Sequence, residues 1–403
     1  MKQQTKKDKD PFYFDFPFKQ IAPAPPVWRD QARLMVLHRD SGKIEHRFFK
    51  DILDYFGKGD LFVLNNTKVI PSVLKVRADL GIRIVLLREL SRNDRIWDAL
   101  AIVDGGKDRE IYEGAELGFG LNPPLKATVR DKSRVNPQFL RLKFDFDGDE
   151  KEFRDTLFEQ GMPYIPQWVK PKTTSDDREN YQTVFAEVEG AISAPGAGLH
   201  FSQQMLYRMV LKDIGKAFIT LHQGIGHFRT IPKVRKDAGD CSGSEEYGEE
   251  TQSQIADEKE QAPSFDKKRL SWTSDPVDKW VWREAERLSV SEESAAAINK
   301  ARRAGKKVVA VGASVIRGLE TAATVDKEVR AYEGWAEKFI HPTFPAYRFS
   351  IPDAIISNFH IPQSPSLMCV AAYGGCPRVM DAYDVALKEK YKFGPYGDAM
   401  LIL

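Results

Sequence analysis

Leu61-Phe62-Val63-Leu64-Asn65-Asn66-Thr67-Lys68 is the stretch at which the character of the chain changes. Upstream, residues 11 to 64 mix aromatics with short strands such as Leu34-Met35-Val36-Leu37, and they close on the apolar run of residues 61–64. From about Lys68 to Phe146 the pattern becomes short alternating strands, expected over 82–87, 96–103, 127–130 and 140–144. Gly105-Gly106, Asn122-Pro123-Pro124 and Asp147-Gly148-Asp149 separate them as turns. Strands at this spacing with few helical windows describe a small all-β barrel or sandwich.

Beyond about Pro163 strands alternate with helices. Strands are expected over 217–221, 308–311 and 354–357, and helices over 203–212, 291–303, 314–323, 367–373 and 379–390. Ser289 and Glu292 have capping-box spacing ahead of the second of these helices, and Gly305 stands at its stop. Apolar strands between helices imply a sheet covered on both faces. The expected fold is therefore an α/β main domain built from residues 1–67 and 156–403, with a small all-β barrel domain inserted at 68–155. Residues 237–266 differ in kind, with ten acids and one lysine among Ser, Gly and Gln, and read as a disordered acidic loop.

A chain of 403 residues can bury a large core, and its 42% apolar and 29% charged content is that of an ordinary globular protein. A net charge of +2 neither demands nor excludes nucleic acid, so any phosphate-binding face must come from local clustering. The three cysteines, Cys241, Cys369 and Cys376, match neither a zinc ribbon nor a disulfide framework, so a reducing compartment is the default and no metal is expected. Met1 to Asp10 is lysine-rich without an apolar run, and no stretch has the length of a membrane span, so the expectation is a cytoplasmic protein, without membrane contact and monomeric.

Polar turns recur at the ends of the apolar runs. Ala194-Pro195-Gly196-Ala197-Gly198-Leu199-His200-Phe201 pairs a loop able to approach a ligand closely with a titratable ring, and Ser202 then opens a helix. Leu221-His222-Gln223-Gly224-Ile225-Gly226, Val311-Gly312-Ala313-Ser314, Ser357-Asn358-Phe359-His360 and Tyr396-Gly397-Asp398-Ala399-Met400 repeat the theme. Several strand ends bearing polar loops suggest one shared cleft. The turn at Gly312 lacks a full G-x-G-x-x-G and has no acid at the expected distance, which argues against a dinucleotide-binding oxidoreductase.

Together these motifs resemble the S-adenosylmethionine:tRNA ribosyltransferase-isomerase family of queuosine biosynthesis. The resemblance rests on Phe14-Asp15-Phe16, Arg29-Asp30-Gln31-Ala32-Arg33-Leu34, Leu64-Asn65-Asn66-Thr67-Lys68-Val69-Ile70-Pro71, Tyr181-Gln182-Thr183-Val184, the segment 194–201, Gly334-Trp335, Asn358-Phe359-His360 and the segment 396–401, in that order. It implies a ribosyl transfer from S-adenosylmethionine, as donor substrate, to a 7-aminomethyl-7-deazaguanine in the anticodon region of tRNA. Adenine and methionine leave and epoxyqueuosine results. The family fold is likewise an α/β domain with an inserted barrel.

The sulfonium of such a donor acidifies the neighbouring C5′ protons, so a base of moderate pKa within hydrogen-bond reach suffices to start the reaction. His200, His222 and His360 are the candidates, with Asp398 or Asn358 to assist departure of adenine. Gly196, Gly198, Gly224, Gly226, Gly312, Ser314, Asn358 and Asn65 are expected to line the substrate site, with Arg317 and Lys68 contacting tRNA phosphate or a ligand carboxylate. Against these stand plainer roles: Asn358 and Asp398 as turn caps, and Arg317 as an ordinary ion-pair partner.

The resemblance is to a divergent member. Where the family pattern has His-x-Met-His-x-Glu, the aligned stretch reads Val281-Trp282-Arg283-Glu284-Ala285-Glu286 and keeps only Glu286. Gly196, Asn66, His227 and the run Ala313-Ser314-Val315-Ile316 also depart from it. Two alternatives stand beside the ribosyl transfer: a non-catalytic tRNA- or nucleoside-binding paralogue, and the same fold acting on another acceptor amine. From composition alone, deletion of residues 237–266 should leave the melting temperature within about 2 °C of the parent chain, because a disordered loop contributes few native contacts. A thermal melt of the deletion variant checks this.

Overall fold

The computed structural model describes residues 11–77, 81–103, 111–120, 124–134, 136–226, 286–342 and 347–403. The acidic segment 237–266, His227 and residues 281–285 lie outside them. Among the described residues, nine strands form one mixed sheet. From edge to edge it runs Tyr332–Ala336, Glu286–Val290, Gly215–Leu221, Leu61–Asn65, Val308–Val311, Ala354–Asn358, Ala399–Ile402, Arg33–Leu37 and Ile44–Phe48. The four strands from Gly215–Leu221 to Ala354–Asn358 are mutually parallel. The strand Ala399–Ile402 pairs antiparallel with the last of these and parallel with Arg33–Leu37.

Pleating divides these apolar strands between two cores. Leu61 and Val63 enter one cluster while Phe62 and Leu64 enter the other, and Val308 and Ala310 part from Val309 and Val311 in the same way. The first cluster is covered by the helices Glu292–Arg303, Ala313–Ala322, Pro365–Gly374 and Cys376–Lys388. The second is covered by Met205 and Met209 of the helix Gln203–Leu211 and by Phe49, Ile52 and Leu53 of a 3₁₀ segment. Each leucine or phenylalanine buried in this way contributes about 1.5–3 kcal/mol.

Between the parallel neighbours Leu61–Asn65 and Gly215–Leu221 the chain leaves the sheet and builds a second one. Six antiparallel strands follow the order Val73–Lys75, Ile82–Ser91, Ile96–Val103, Phe139–Asp145, Leu125–Lys132 and Glu116–Phe119. A bridge between Val76 and Phe119, with the Arg77 amide donating to Gly118 O at 2.7 Å, brings first and last strands together, so the barrel is nearly closed. The helix Glu150–Gln160, begun by a reciprocal Asp149–Glu152 capping box, places Phe153 and Leu157 in the barrel core. The expected boundary between residues 155 and 156 falls inside this helix.

Two local expectations are corrected. Ser289 does not cap a helix: it lies in the strand Glu286–Val290, paired with Thr220 and Glu333, and the cap is Ser291, whose hydroxyl accepts the Ser294 amide at 3.1 Å. Sheet pairing on both sides outweighs local capping chemistry there. The segment read as the turn 396–400 enters a fully buried strand at Ala399, because its hydrogen-bonding partners lie far away in sequence.

At Gly161, which ends the helix Glu150–Gln160, an added Cβ would stand 1.9 Å from the carbonyl oxygen of Pro71. Gly161→Ala should therefore lower stability by about 1–3 kcal/mol, as overpacking against backbone does. Gly57→Ala, where an added Cβ meets nothing within 4 Å, is the control, expected within about 0.5 kcal/mol of the parent. Urea unfolding midpoints measure both.

Candidate active site

Four adjacent parallel strands put their C-terminal ends at one side of the sheet, which is where α/β sheets gather ligands. Those ends carry Asn65, His222, Gly312 with Ser314, and Asn358. The turns noted in the sequence converge because the strands that feed them are neighbours and run the same way.

Two adjoining cavities open there. The larger, about 440 Å³, lies between the barrel and the sheet. Its barrel wall includes Leu87, Arg88, Trp97, Asp98 and Phe139, and its sheet wall includes His222, Gly224, Glu286, Arg317 and Trp335. The smaller, about 60 Å³, is bordered by Gly196, Gly312, Asn358 and His360. Gln223, Ala313, Ser314 and Ser366 border both, so the two form one continuous cleft. A small-molecule site has about this size and mixed character.

His222 follows the strand Gly215–Leu221 directly. Its Nδ1 lies 2.7 Å from the hydroxyl of Thr67, which leaves Nε2 for other work. The ring passes over Gly190, where an added Cβ would come within 2.8 Å of three ring atoms and where φ is +152°. No other residue fits beneath it, and a glycine inside a strand was the available signal of such close approach. Burial, aided by the positive charge of Arg287, lowers the His222 pKa to about 4.

Other expected residues take supporting positions. His200 is buried against Phe49, ring centroids 4.9 Å apart, and its Nε2 lies 3.2 Å from Asn358 Oδ1. It borders neither cavity and reaches the cleft only through Asn358. Desolvation lowers its pKa to about 4 against the opposing effect of that hydrogen bond. Asn358 donates from Nδ2 to the carbonyls of Gly394 and Pro395, both at 3.1 Å. His360, on the smaller cavity, has Nε2 2.8 Å from the Ser357 hydroxyl.

Asp398, expected to help adenine leave, is instead a backbone clamp. Its two oxygens accept the amides of Arg33 at 2.8 Å and Lys392 at 2.7 Å, and it borders neither cavity. Burial raises its pKa against those two bonds. Asn65 is likewise a clamp rather than a cavity-lining group, with Oδ1 accepting the amides of Thr67 and Leu221 and Nδ2 donating to Leu221 O at 2.9 Å. Gly198 packs against Thr183 and Phe185, outside both cavities, and Lys68 pairs with Glu189 at 3.1 Å on the rim. Gly226 borders the larger cavity as expected. Among the described residues no group of three His, Cys, Asp or Glu side chains is arranged to hold a metal ion.

Sequence comparison puts this chain in an enzyme family of queuosine biosynthesis. Residues 9–263 and 277–402 match the family described as queuosine biosynthesis protein. A Parabacteroides distasonis protein named S-adenosylmethionine:tRNA ribosyltransferase-isomerase is 41% identical over 395 residues, spanning 97% of this chain and 99% of that one. Its namesake from Flavobacterium psychrophilum is 36% identical over the same shares. The crystal structure of S-adenosylmethionine tRNA ribosyltransferase from Thermotoga maritima is 29% identical, covers 98% of this chain and 100% of its own, and has a TM-score of 0.49. The chain belongs to the S-adenosylmethionine:tRNA ribosyltransferase-isomerase family.

The two buried imidazoles set a pH dependence. Both have a folded pKa of about 4 against an ordinary 6.5, so the unfolded chain takes up these protons first as pH falls. Their contribution to stability is complete above pH 6.5 and is lost progressively toward pH 4. The melting temperature should hold steady between about pH 7 and 8 and drop below pH 6.5, with a shallower drop in His222→Gln. Thermal melts across pH 4 to 8 measure this.

Proposed function

We propose that this chain moves the ribosyl group of S-adenosylmethionine onto the aminomethyl group of a 7-deazaguanine in the anticodon region of tRNA and isomerises it to the epoxycyclopentane of epoxyqueuosine. Adenine and methionine leave. Family membership supports the reading, and the observation that carries it is the cleft itself, where neutral His222 meets a cavity of about 440 Å³ shared by barrel and sheet. The protein then works in the cytoplasm as a monomer. Among the described residues no helix is long and apolar enough to cross a membrane.

In this reading His222 is the base. Burial keeps its imidazole neutral at pH 7, and the Thr67 hydroxyl holds Nδ1, so Nε2 accepts the C5′ proton that the sulfonium acidifies. His360, beside the smaller cavity, is placed for the second proton movement, at the departing purine. His200 and Asp398 act at one remove. The first orients Asn358, and the second fixes the start of the strand Arg33–Leu37 and the loop at Lys392.

Incubation with S-adenosylmethionine and tRNA bearing the aminomethyl deazaguanine should release adenine, measured by chromatography. His222→Gln should lower kcat about 10²–10⁴-fold, the loss typical of a general base. Because the unprotonated ring is the active form, kcat/KM of the parent enzyme should stay level on the acid side to about pH 5 and fall only as His222 takes up its proton near 4. No adenine release with intact tRNA binding would refute the catalytic reading.

A further inference from the structure

On the sheet wall of the cleft two opposite charges are held side by side. Glu286, at the start of the strand Glu286–Val290, accepts the Gly224 amide on Oε1 at 2.7 Å, and its Oε2 is bound by Nη2 of Arg317. The two side chains are only 11% and 22% exposed, and both border the larger cavity. Among the described residues Glu286 is the one hydrogen-bond partner of the Arg317 guanidinium, a group with five donors.

Two helix N-termini reach the same place. Ala313 and Ser314 begin the helix Ala313–Ala322, which carries Arg317 one turn further on, and Pro365 and Ser366 begin the helix Pro365–Gly374. Each helix has ten residues and presents the positive end of its dipole there. The first offers the amides of Ala313 and Ser314, whereas in the second Pro365 has no amide hydrogen and the Leu367 amide is taken by the Ser364 hydroxyl, which leaves that of Ser366. Guanidinium and helix ends together favour a carboxylate. The fixed Glu286 carboxylate beside them disfavours a phosphate dianion and favours a ligand that also carries a cation.

We propose that Arg317 and Glu286 form a subsite for an α-amino-acid zwitterion, the methionine end of the sulfonium donor, with Arg317 and the two helix N-termini taking its carboxylate and Glu286 its ammonium. This inference rests on the donor proposed above. It goes beyond that reading in saying which end of the donor faces which wall. Arg317 and Glu286 are bound to each other on the cleft wall, with Arg317 Nε left without a partner among the described residues. A zwitterion exchanges that contact for two, one to each partner. Gly224 lies two residues beyond His222, so the same short loop that supports Glu286 also carries the proposed base, and only two methylenes separate the α-carbon of the donor from its sulfonium.

The test is calorimetric titration of the parent protein, Arg317→Gln and Glu286→Gln with S-adenosylmethionine, its decarboxylated analogue and its deaminated analogue, with circular dichroism to confirm folding. The parent protein should bind each analogue about 10- to 100-fold more weakly than S-adenosylmethionine, the factor expected for losing one charge-assisted contact. Arg317→Gln should weaken S-adenosylmethionine by a similar factor and leave the decarboxylated analogue within about twofold, and Glu286→Gln should do the same toward the deaminated one. Equal binding of all three ligands by the parent protein overturns the subsite, as does an Arg317→Gln variant that weakens all three alike. If Glu286→Gln fails to fold, the discrimination shown by the parent protein and Arg317→Gln still decides. Adenine release from the parent protein, measured in parallel, separates the two readings: release without discrimination refutes the subsite alone, and neither binding nor release refutes the donor assignment.

Discussion

The buried amide of Asn65 is the contact on which the candidate site depends. It sits at the end of a central strand and binds Leu221 through both its amide and its carbonyl, while its Oδ1 also accepts the Thr67 amide. In one residue it locks the exit of one strand to the exit of its parallel neighbour. One residue beyond Leu221 stands His222 and two beyond Asn65 stands Thr67, and these are hydrogen-bonded to each other. Without this lock, buried polar groups would be left unpaired at about 1–3 kcal/mol each, and the imidazole would lose its orientation.

The same junction explains why the site is both enclosed and charged. The chain leaves the sheet after Leu61–Asn65, builds the barrel and returns at Gly215–Leu221, so barrel and sheet face each other across the cleft. Low exposure there acts on neighbouring groups in opposite ways. It keeps His222 unprotonated, whereas Glu286 and Arg317 retain their partnership as a hydrogen-bonded pair. On the barrel side, Asp98 is held between Arg88 at 2.6 Å and Arg141 at 3.0 Å, so that wall is pre-organised before any ligand arrives.

Much of the architecture was legible in residue order. The change from mixed to alternating pattern after Thr67 marked the barrel, and the apolar runs marked the strands Val308–Val311 and Ala354–Asn358. Short edge strands such as Val73–Lys75 and Glu116–Phe119 escaped notice because three or four residues carry little periodicity. Ala399–Ile402 escaped because a polar turn precedes it and its pairing is entirely long-range. At the cleft, several of the glycine-bearing turns at strand ends line the cavities, but Thr67 and Gly190 were not singled out, since their value lies only in what they touch.

By itself, then, the sequence determined the family, the longer apolar strands and the main helices beyond the barrel, and the polar turns at their ends, because motif spacing and hydrophobic period are local properties. Only the tertiary structure decided the positions of the polar side chains. His222 and Arg317 border the cleft, whereas His200, Asp398 and Asn65 stand behind it as braces. Whether a polar side chain meets substrate or a backbone amide depends on strand order and pleat direction. Those are set by pairings between residues more than a hundred positions apart, such as Asn65 with Leu221, which no local pattern encodes.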